Sequence, residues 1–387
     1  MPCIRVFTAS TLVASLTFFG GLVESVSAHA AASGASFSKG DWELACDNTG
    51  TCRAAGYHAE DAAEEGTSSR PVSVLLTRAA GPGTAVEAKV LFGDDADEAQ
   101  GSQAKSRKPA VMRFRLDGRD LGPMAAVAQG ASWSLTPAQT AALLAALTRT
   151  ARIEFVLGRV VRRISDDGSA AVLLKMDDRQ GRIGTRGALI RKGNQPESQV
   201  PSAVAPPVLR VPALVPTRPE DSKLAPKLLL ALRAALPKDH NCDRLTEPQN
   251  GSVPSIQLTR LDAHHLLAST DCWLAAYNAG TGYWVVDDSP PYRATLVTED
   301  ASDDSNGVIT SMHKGRGIGD CFSSAEWAWD GRRFVQTGES TTGMCRSIAA
   351  GGAWDLPTLV WEVIRPAPRS ASRSATQSGQ AASAAVR

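Results

Sequence analysis

Histidines and acidic residues are the first candidates for chemistry, because they are the commonest acid–base groups and metal ligands. His264 and His265 follow Asp262, while His240 and His313 stand apart. Adjacent side chains on a strand point to opposite faces, so only one of His264 and His265 could join a given metal site. The sequence therefore predicts packing or surface roles for these histidines, and no metal site.

No catalytic signature stands out elsewhere. The acidic run from Ser302 to Gly307 resembles part of a calcium loop, but Ser302 and His313 occupy the positions that need Asp and Glu. A G-x-S-x-G elbow, a P-loop and a dinucleotide fingerprint are all absent from the sequence. We therefore predict no catalytic residues and no cofactor. The alternative is a hydrolase with a concealed Ser/His/Asp triad or a His/Asp metal site, since a triad is defined by geometry.

The N-terminal 30 residues are typical of a secretory signal peptide. Arg5 precedes an uncharged apolar run from Val6 to Val23, and Ala28-His29-Ala30 fits the small-x-small cleavage rule. An uncleaved anchor is the alternative reading, because the run is nearly long enough to span a bilayer. Cleavage predicts a periplasmic protein that keeps no stable membrane anchor and loses Cys3.

Six cysteines then remain, and an even number in an exported chain predicts disulfides. Proximity in the sequence favours Cys46–Cys52, Cys242–Cys272 and Cys321–Cys345. Free thiols or a metal site are the alternatives, although the chain has no CxxC pair.

A cluster of arginines near a predicted helix end could bind an anion or a partner. Arg179, Arg182 and Arg186 form this set with Asp178. The alternative is a solvated face on which the aspartates pair locally.

Aromatic residues offer a second possible ligand face. Trp273, Tyr283 and Trp284 lie close together in the sequence and could line a glycan or peptide groove. Core packing is the alternative, because a small β-rich domain needs such side chains for its own stability.

The stretch from Asp320 to Cys345 predicts a β-hairpin that its own cysteines close. Asp330-Gly331 is a two-residue turn signal. Counting outward, Trp329 should face Arg332 and Trp327 should face Phe334. This register would place Arg332 on an aromatic face, where a cation–π contact is possible.

Short alternating strands dominate the remaining chain, with few helices between them. Thr136 to Arg149 predicts a helix with a capping box, Ser169 should cap a second helix, and Lys223 to Leu236 predicts a third. The predicted fold class is α+β, mainly β: two antiparallel β-rich domains with peripheral helices and disulfides. We predict an N-terminal domain (36–192), a Pro-rich linker (193–222), a C-terminal domain (223–365) and a disordered tail (366–387).

The net charge of +1 gives no reason to expect nucleic-acid binding. With no catalytic signature, we expect a non-enzymatic binding module whose partner is an unknown envelope protein or a cell-wall ligand. A structural or envelope-stress protective role is a further alternative.

Several blocks of sequence resemble a known family. They are FSKGDWELACDNTGTCRAAG, KMDDRQGRIGTRGALIRKG, and DCFSSAEWAWDGRRF with Cys345 and WDLPTLVWE. Together they resemble an exported proteobacterial family, domain of unknown function 1176. The first domain is also similar, more distantly, to periplasmic proteins of the invasion-associated locus B type. These resemblances imply export and a β-rich fold, and they imply no reaction.

Overall fold

The computed structural model describes residues 34–59, 71–93, 111–127, 132–247 and 253–365. The predicted signal peptide (residues 1–30) and the predicted tail (residues 366–387) lie outside the described residues.

The first half of the described chain forms two antiparallel sheets. Its strands are β1 (Ala35–Lys39), β2 (Trp42–Cys46), β3 (Cys52–Tyr57), β4 (Val72–Arg78), β5 (Val86–Phe92), β6 (Met112–Leu116), β7 (Arg119–Pro123), β8 (Ala125–Ala126), β9 (Ser132–Ser134), β10 (Ile153–Leu157) and β11 (Val160–Ile164). The seven-stranded sheet has the order β1-β2-β3-β4-β5-β9-β8, and the four-stranded sheet has the order β11-β10-β6-β7. Strand β1 is therefore an edge strand.

Two helices accompany these sheets, α1 (Pro137–Ala146) and α2 (Ser169–Arg179). The predicted capping box of α1 is present, with Thr136 and Gln139 as its members. The prediction that Ser169 caps α2 is wrong. Gly168 is the cap, and its φ of 85° is readily accessible only to glycine. A Cβ atom at this position would also lie 1.8 Å from the carbonyl oxygen of Lys39.

The second half contains further strands and two short helices. They are β12 (Val208–Arg210), α3 (Ala225–Ala234), α4 (Asp243–Thr246), β13 (Gln257–Arg260), β14 (His265–Leu274), β15 (Ala279–Asp287), β16 (Ala294–Ala301), β17 (Asp303–Ser305), β18 (Val308–Lys314), β19 (Phe322–Trp329), β20 (Phe334–Thr341), β21 (Leu356–Val360) and β22 (Glu362–Ile364). They form a four-stranded sheet β13-β14-β15-β16, a five-stranded sheet β17-β18-β19-β20-β21 and the pair β12-β22. The predicted fold class, mainly β with antiparallel sheets and peripheral helices, is confirmed.

The structure contains the three disulfides that proximity in the sequence favoured: Cys46–Cys52, Cys242–Cys272 and Cys321–Cys345. Cys46 lies directly opposite Cys52 in the antiparallel pair β2–β3. Disulfides of this kind are typical of proteins from oxidising compartments.

The hairpin formed by β19 and β20 is present, but its predicted register is wrong. Trp329 lies opposite Phe334, and Trp327 lies opposite Gln336. The Asp330 carboxylate accepts hydrogen bonds from the backbone N–H groups of Arg332 and Arg333, which lengthens the turn to four residues. Arg332 therefore lies in the exposed turn, outside the aromatic face.

The start of the described chain and the β2–β3 turn both contact strand β21 directly. The Gly34 N–H donates to the Thr358 carbonyl at 3.0 Å, and the side-chain amide of Asn48 bonds both backbone groups of Val360. A small apolar cluster joins Tyr57 to Leu356 beside this junction. All the described residues belong to one compact unit. Independent folding of residues 36–192 and 223–365 therefore stays a prediction.

Parts of the Pro-rich segment 193–222, which was predicted to be a linker, form short elements that pack against the rest of the protein. A short 3-10 helix spans Glu197–Gln199, a second spans Asp221–Leu224, and β12 pairs with β22. Val200 and Leu209 are buried. Among the described residues, no helix combines the length and apolar character required to cross a membrane.

Candidate functional site

A cavity lies where three sheets meet, and we call it the three-sheet cleft. Its walls are strands β1 and β2, the end of β16, and strands β18 to β21; its volume is about 650 Å³. This size lies within the range of about 300–1,000 Å³ that is usual for ligand pockets. The cleft is therefore large enough to hold a small ligand or a short segment of polymer.

Hydroxyl groups dominate the lining of the three-sheet cleft. Nine of its twenty lining residues are serine or threonine, so the cleft can offer many neutral hydrogen-bonding groups. These residues are Ser36, Ser38, Thr298, Ser311, Ser323, Ser324, Ser340, Thr341 and Thr358. Among them, Ser324 and Ser340 belong to the row of Met312, whose side chains project to the other face of the five-stranded sheet. Phe37 and Trp327 supply aromatic surface beside the hydroxyl groups.

Strand register places the polar side chains of the five-stranded sheet in rows. His313 on β18 lies opposite Ser323 on β19, and Ser323 lies opposite Thr341 on β20. Directly opposed residues of an antiparallel pair project to the same face of the sheet. The three side chains therefore form one row across the cleft, and Glu339 lies in the adjacent row, opposite Ala325.

Glu43 contributes a largely buried carboxyl group to the cleft. Its Oε1 accepts hydrogen bonds from the Tyr57 hydroxyl at 2.6 Å and from the Met344 N–H at 2.7 Å. Burial raises the pKa of Glu43, and burial also raises the pKa of Tyr57 well above its ordinary value. The charge of Arg346 acts on Glu43 in the opposite direction and lowers its pKa.

We expect Glu43→Gln to raise the melting temperature at pH 7. Because the pKa of Glu43 is raised in the folded protein, the charged carboxylate costs stability above that pKa. The cost disappears below the unfolded pKa of about 4.3, where both states are protonated. Thermal unfolding of both proteins should therefore show a difference at pH 7 that shrinks towards zero near pH 3.5.

Glu339→Gln is the matched control for this measurement, because Glu339 lines the same cleft but lies exposed. It should change the melting temperature little at either pH. A Glu43→Gln protein less stable than the wild type at pH 7 would contradict the assignment of a buried, destabilising charge.

His313 and Asp300 form a polar corner of the cleft. The Asp300 carbonyl accepts hydrogen bonds from His313 Nε2 at 2.7 Å and from the Ser311 hydroxyl at 2.6 Å. A carbonyl can only accept, so Nε2 carries the proton. His313 Nδ1 is buried and has no hydrogen-bond partner among the described residues.

The predicted aromatic face is not assembled on one surface. Trp284 is fully buried in the core under α3, while Tyr283 projects to the other face of β15 and donates to Asp304 at 2.9 Å. Adjacent strand residues alternate between faces, which separates these two side chains. Trp273 reaches the cleft indirectly, since its indole N–H donates to the carboxylate of Asp300 at 2.9 Å.

The predicted arginine site is divided between the interior and the surface. Arg182 is fully buried, whereas Arg179 and Arg186 are exposed. The exposed Asp178 carboxylate pairs with Lys175 at 2.7 Å. The anion-binding prediction therefore depends on Arg179 and Arg186, because the donors of Arg182 are directed to protein acceptors.

The guanidinium of Arg182 holds the turn between β4 and β5. It donates to the Gly81 carbonyl at 2.6 Å, the Thr84 hydroxyl at 2.6 Å and the Glu197 carboxylate at 2.9 Å. Gln180 acts beside it, because its side-chain amide donates to the carbonyls of Gly50 and Arg78. This block therefore joins the end of α2 to two neighbouring turns.

Among the residues that line the three-sheet cleft, sequence patterns drew attention only to His313 and Trp327, and they connected neither to a cleft. A signal was present in the run Thr337 to Gly343, where hydroxyl residues occupy both faces of one strand. A strand packed on a core by one face normally alternates apolar and polar residues. The departure from alternation marks a strand whose two faces both meet polar surroundings.

Comparison with known proteins identifies a family and a relative that is similar over nearly its full length. The profile of the family described as "Protein of unknown function (DUF1176)" matches residues 36–361. The uncharacterized protein YpfG of Escherichia coli (strain K12) is 26% identical over 367 residues, which cover 89% of this chain and 97% of that protein. No solved structure matches the chain significantly.

Proposed function

We propose that this chain, which belongs to the DUF1176 family of proteins of unknown function, is an exported periplasmic binding module without enzymatic activity. Its ligand is an envelope protein or a cell-wall component, and the three-sheet cleft holds it. The single observation that carries this proposal is the cleft itself, with its hydroxyl lining and partly exposed aromatic side chains.

Export is supported by two independent features. The three disulfides suit an oxidising compartment. The N-terminal 30 residues have the charge, apolar run and cleavage motif of a signal peptide. Both features support a periplasmic location for the mature chain.

The chemistry of the cleft favours binding. Serine and threonine hydroxyls donate and accept hydrogen bonds at neutral pH without changing charge. Phe37 is 36% exposed and offers apolar contact beside them. Ligand pockets commonly combine apolar surface with a few such polar groups.

A hydrolase is the second candidate, because one observation favours it. His313 Nδ1 is buried without a partner among the described residues, and Ser323 lies opposite His313 on the neighbouring strand. A nucleophilic serine needs a hydrogen bond to its base. None is formed between these two described side chains, so we prefer the binding function.

Photo-crosslinking in intact cells tests the binding function. Phe37 is replaced by p-benzoylphenylalanine, which resembles phenylalanine and places the photoreactive group at the cleft. We expect irradiation to yield a covalent adduct, whose mass identifies the ligand.

Met312 is the matched control position for the same photoreactive residue. It is 61% exposed, and it precedes His313 on β18, so its side chain points to the opposite face of the sheet. Adducts at Met312 equal to those at Phe37, or no adduct at Phe37, would contradict a ligand in the cleft. The second result would instead favour a structural or envelope-stress role.

A further inference from the structure

Strand β1 presents an open backbone edge to the three-sheet cleft. It is the outermost strand of its sheet, and Ser36, Phe37 and Ser38 all line the cleft. These three residues are exposed. An exposed edge strand offers a row of unpaired backbone groups to another chain.

The register of β1 identifies which backbone groups point into the cleft. Lys39 and Trp42 flank the two-residue turn between β1 and β2, so they form a hydrogen-bonded pair. Pairs alternate along the ladder, and the backbone groups of Ser36 and Ser38 therefore point away from β2. Gly34 lies two residues before Ser36, and its N–H also points away from β2, where it donates to the Thr358 carbonyl.

These outward groups are not used within the part of the chain that the structure describes. The backbone N–H and C=O groups of Ser36 and Ser38 have no partner beyond β2 among the described residues. The only such outward bond along this edge in the described chain is that of Gly34, at the end where β1 meets β21. The cleft begins where this pairing stops.

The charge of the cleft indicates which charge its ligand should carry. Glu43, Asp300 and Glu339 line the cleft, and its lining contains no lysine or arginine. Charged partners bind best where the potentials are complementary. A ligand that carries a positive charge is therefore favoured.

We propose that the three-sheet cleft binds an extended basic peptide segment, which adds a strand to the edge of β1. The inference rests on the proposed binding function and names the ligand class. Backbone hydrogen bonds to Ser36 and Ser38 hold the segment, and a Lys or Arg side chain lies near the three carboxylates. Strand addition to a sheet edge is a common mode of peptide recognition. A glycan would not use the open backbone edge in this regular manner.

Two pools of fluorescein-labelled octapeptides test the charge preference. Seven positions are randomised over Ala, Ser, Thr and Val, and the remaining central position is Lys in one pool and Glu in the other. We expect fluorescence anisotropy with the wild-type protein to show binding of the Lys pool at least tenfold tighter than that of the Glu pool. Equal binding of the two pools would overturn the charge preference. Binding of an N-acetylglucosamine tetramer together with no binding of either pool would overturn the proposal that the ligand is a peptide.

The Ser36→Pro variant tests the backbone edge. Proline lacks the N–H group, and the Ser36 N–H points away from β2, so the ladder of β1 and β2 is retained. Affinity for the Lys pool should fall at least fivefold, while Ser36→Ala, which keeps the N–H group, should bind within twofold of the wild type. Unchanged binding by Ser36→Pro would overturn strand addition.

N-methylation of the peptide gives an answer that is independent of protein folding. A single Lys-containing octapeptide that binds is methylated on the backbone nitrogens of one alternate set of residues, and then of the other. One set should lose binding and the other should keep it, since alternate N–H groups face β1. Equal effects would overturn strand addition.

The crosslinking result separates this inference from the proposed function. If the adduct at Phe37 forms but neither pool binds, only this inference fails; if the adduct is also absent, the proposed function fails with it.

Discussion

Arg182→Met is expected to lower the free energy of unfolding by about 1.5–3 kcal/mol, because buried acceptors lose a charged hydrogen-bond donor. Arg182 is fully buried and pairs with Glu197 at 2.9 Å. Methionine has a similar length and no donor. The substitution would leave the Gly81 carbonyl and the Thr84 hydroxyl without their donor as well.

Urea denaturation measures this loss. The midpoint should fall, while the dependence of the free energy of unfolding on urea concentration stays that of the wild type. Arg179→Met and Arg186→Met are the matched controls, because both arginines lie within four positions of Arg182 but are exposed. Each control should change stability by no more than about 0.5 kcal/mol. A wild-type midpoint for Arg182→Met would show that the buried network contributes nothing.

This result would assign a structural role to the segment from Asp177 to Arg182. Gln180 and Arg182 attach the end of α2 to the turns near Gly50 and Gly81. Asp177 is buried beside them and accepts the N–H groups of Leu189 and Ile190 at 2.7 and 2.9 Å. The block thus fixes three turns through backbone groups, which explains its charged composition without a ligand.

Local patterns in the sequence predicted much of the fold. Proximity in the sequence paired Cys46 with Cys52, and the structure places these two residues directly opposite each other on β2 and β3. Such features depend on residues that are close in the chain. The register of the β19–β20 hairpin was wrong because the Asp330 side chain caps its own turn, and a turn dipeptide does not reveal that contact.

The sequence also did not reveal which charged side chains are buried. Arg179, Arg182 and Arg186 are the same residue type within eight positions, yet only Arg182 is buried. Its burial depends on acceptors near Gly81 and Glu197, which are distant from it in the chain. Composition alone therefore suggested one shared surface where the structure has an internal network and two exposed side chains.

The candidate site was inaccessible to sequence patterns for a related reason. Ser36 and Ser323 belong to different sheets and are separated by most of the chain, yet both line the three-sheet cleft. No spacing rule connects residues at such a separation. The Gly34 to Thr358 hydrogen bond joins the two sheets beside the cleft, together with the bonds between Asn48 and Val360.

Ser323→Trp is expected to abolish ligand binding, because an indole on the cleft face would occupy the space between Ser323, His313 and Thr341. Ser323 is exposed on β19, where tryptophan is well tolerated as a strand residue. Stability should therefore change little. Met312→Trp is the matched control, because it adds the same side chain to the opposite face of the same sheet.

The ligand crosslinked at Phe37 can be purified, and its dissociation constant measured for the wild type, Ser323→Trp and Met312→Trp shows whether the cleft is the binding site. We expect Ser323→Trp to bind it at least about a hundredfold more weakly, equivalent to roughly 2.7 kcal/mol, and Met312→Trp to bind it within twofold of the wild type. A folded Ser323→Trp protein that binds as tightly as the wild type would contradict the assignment of the cleft as the ligand site.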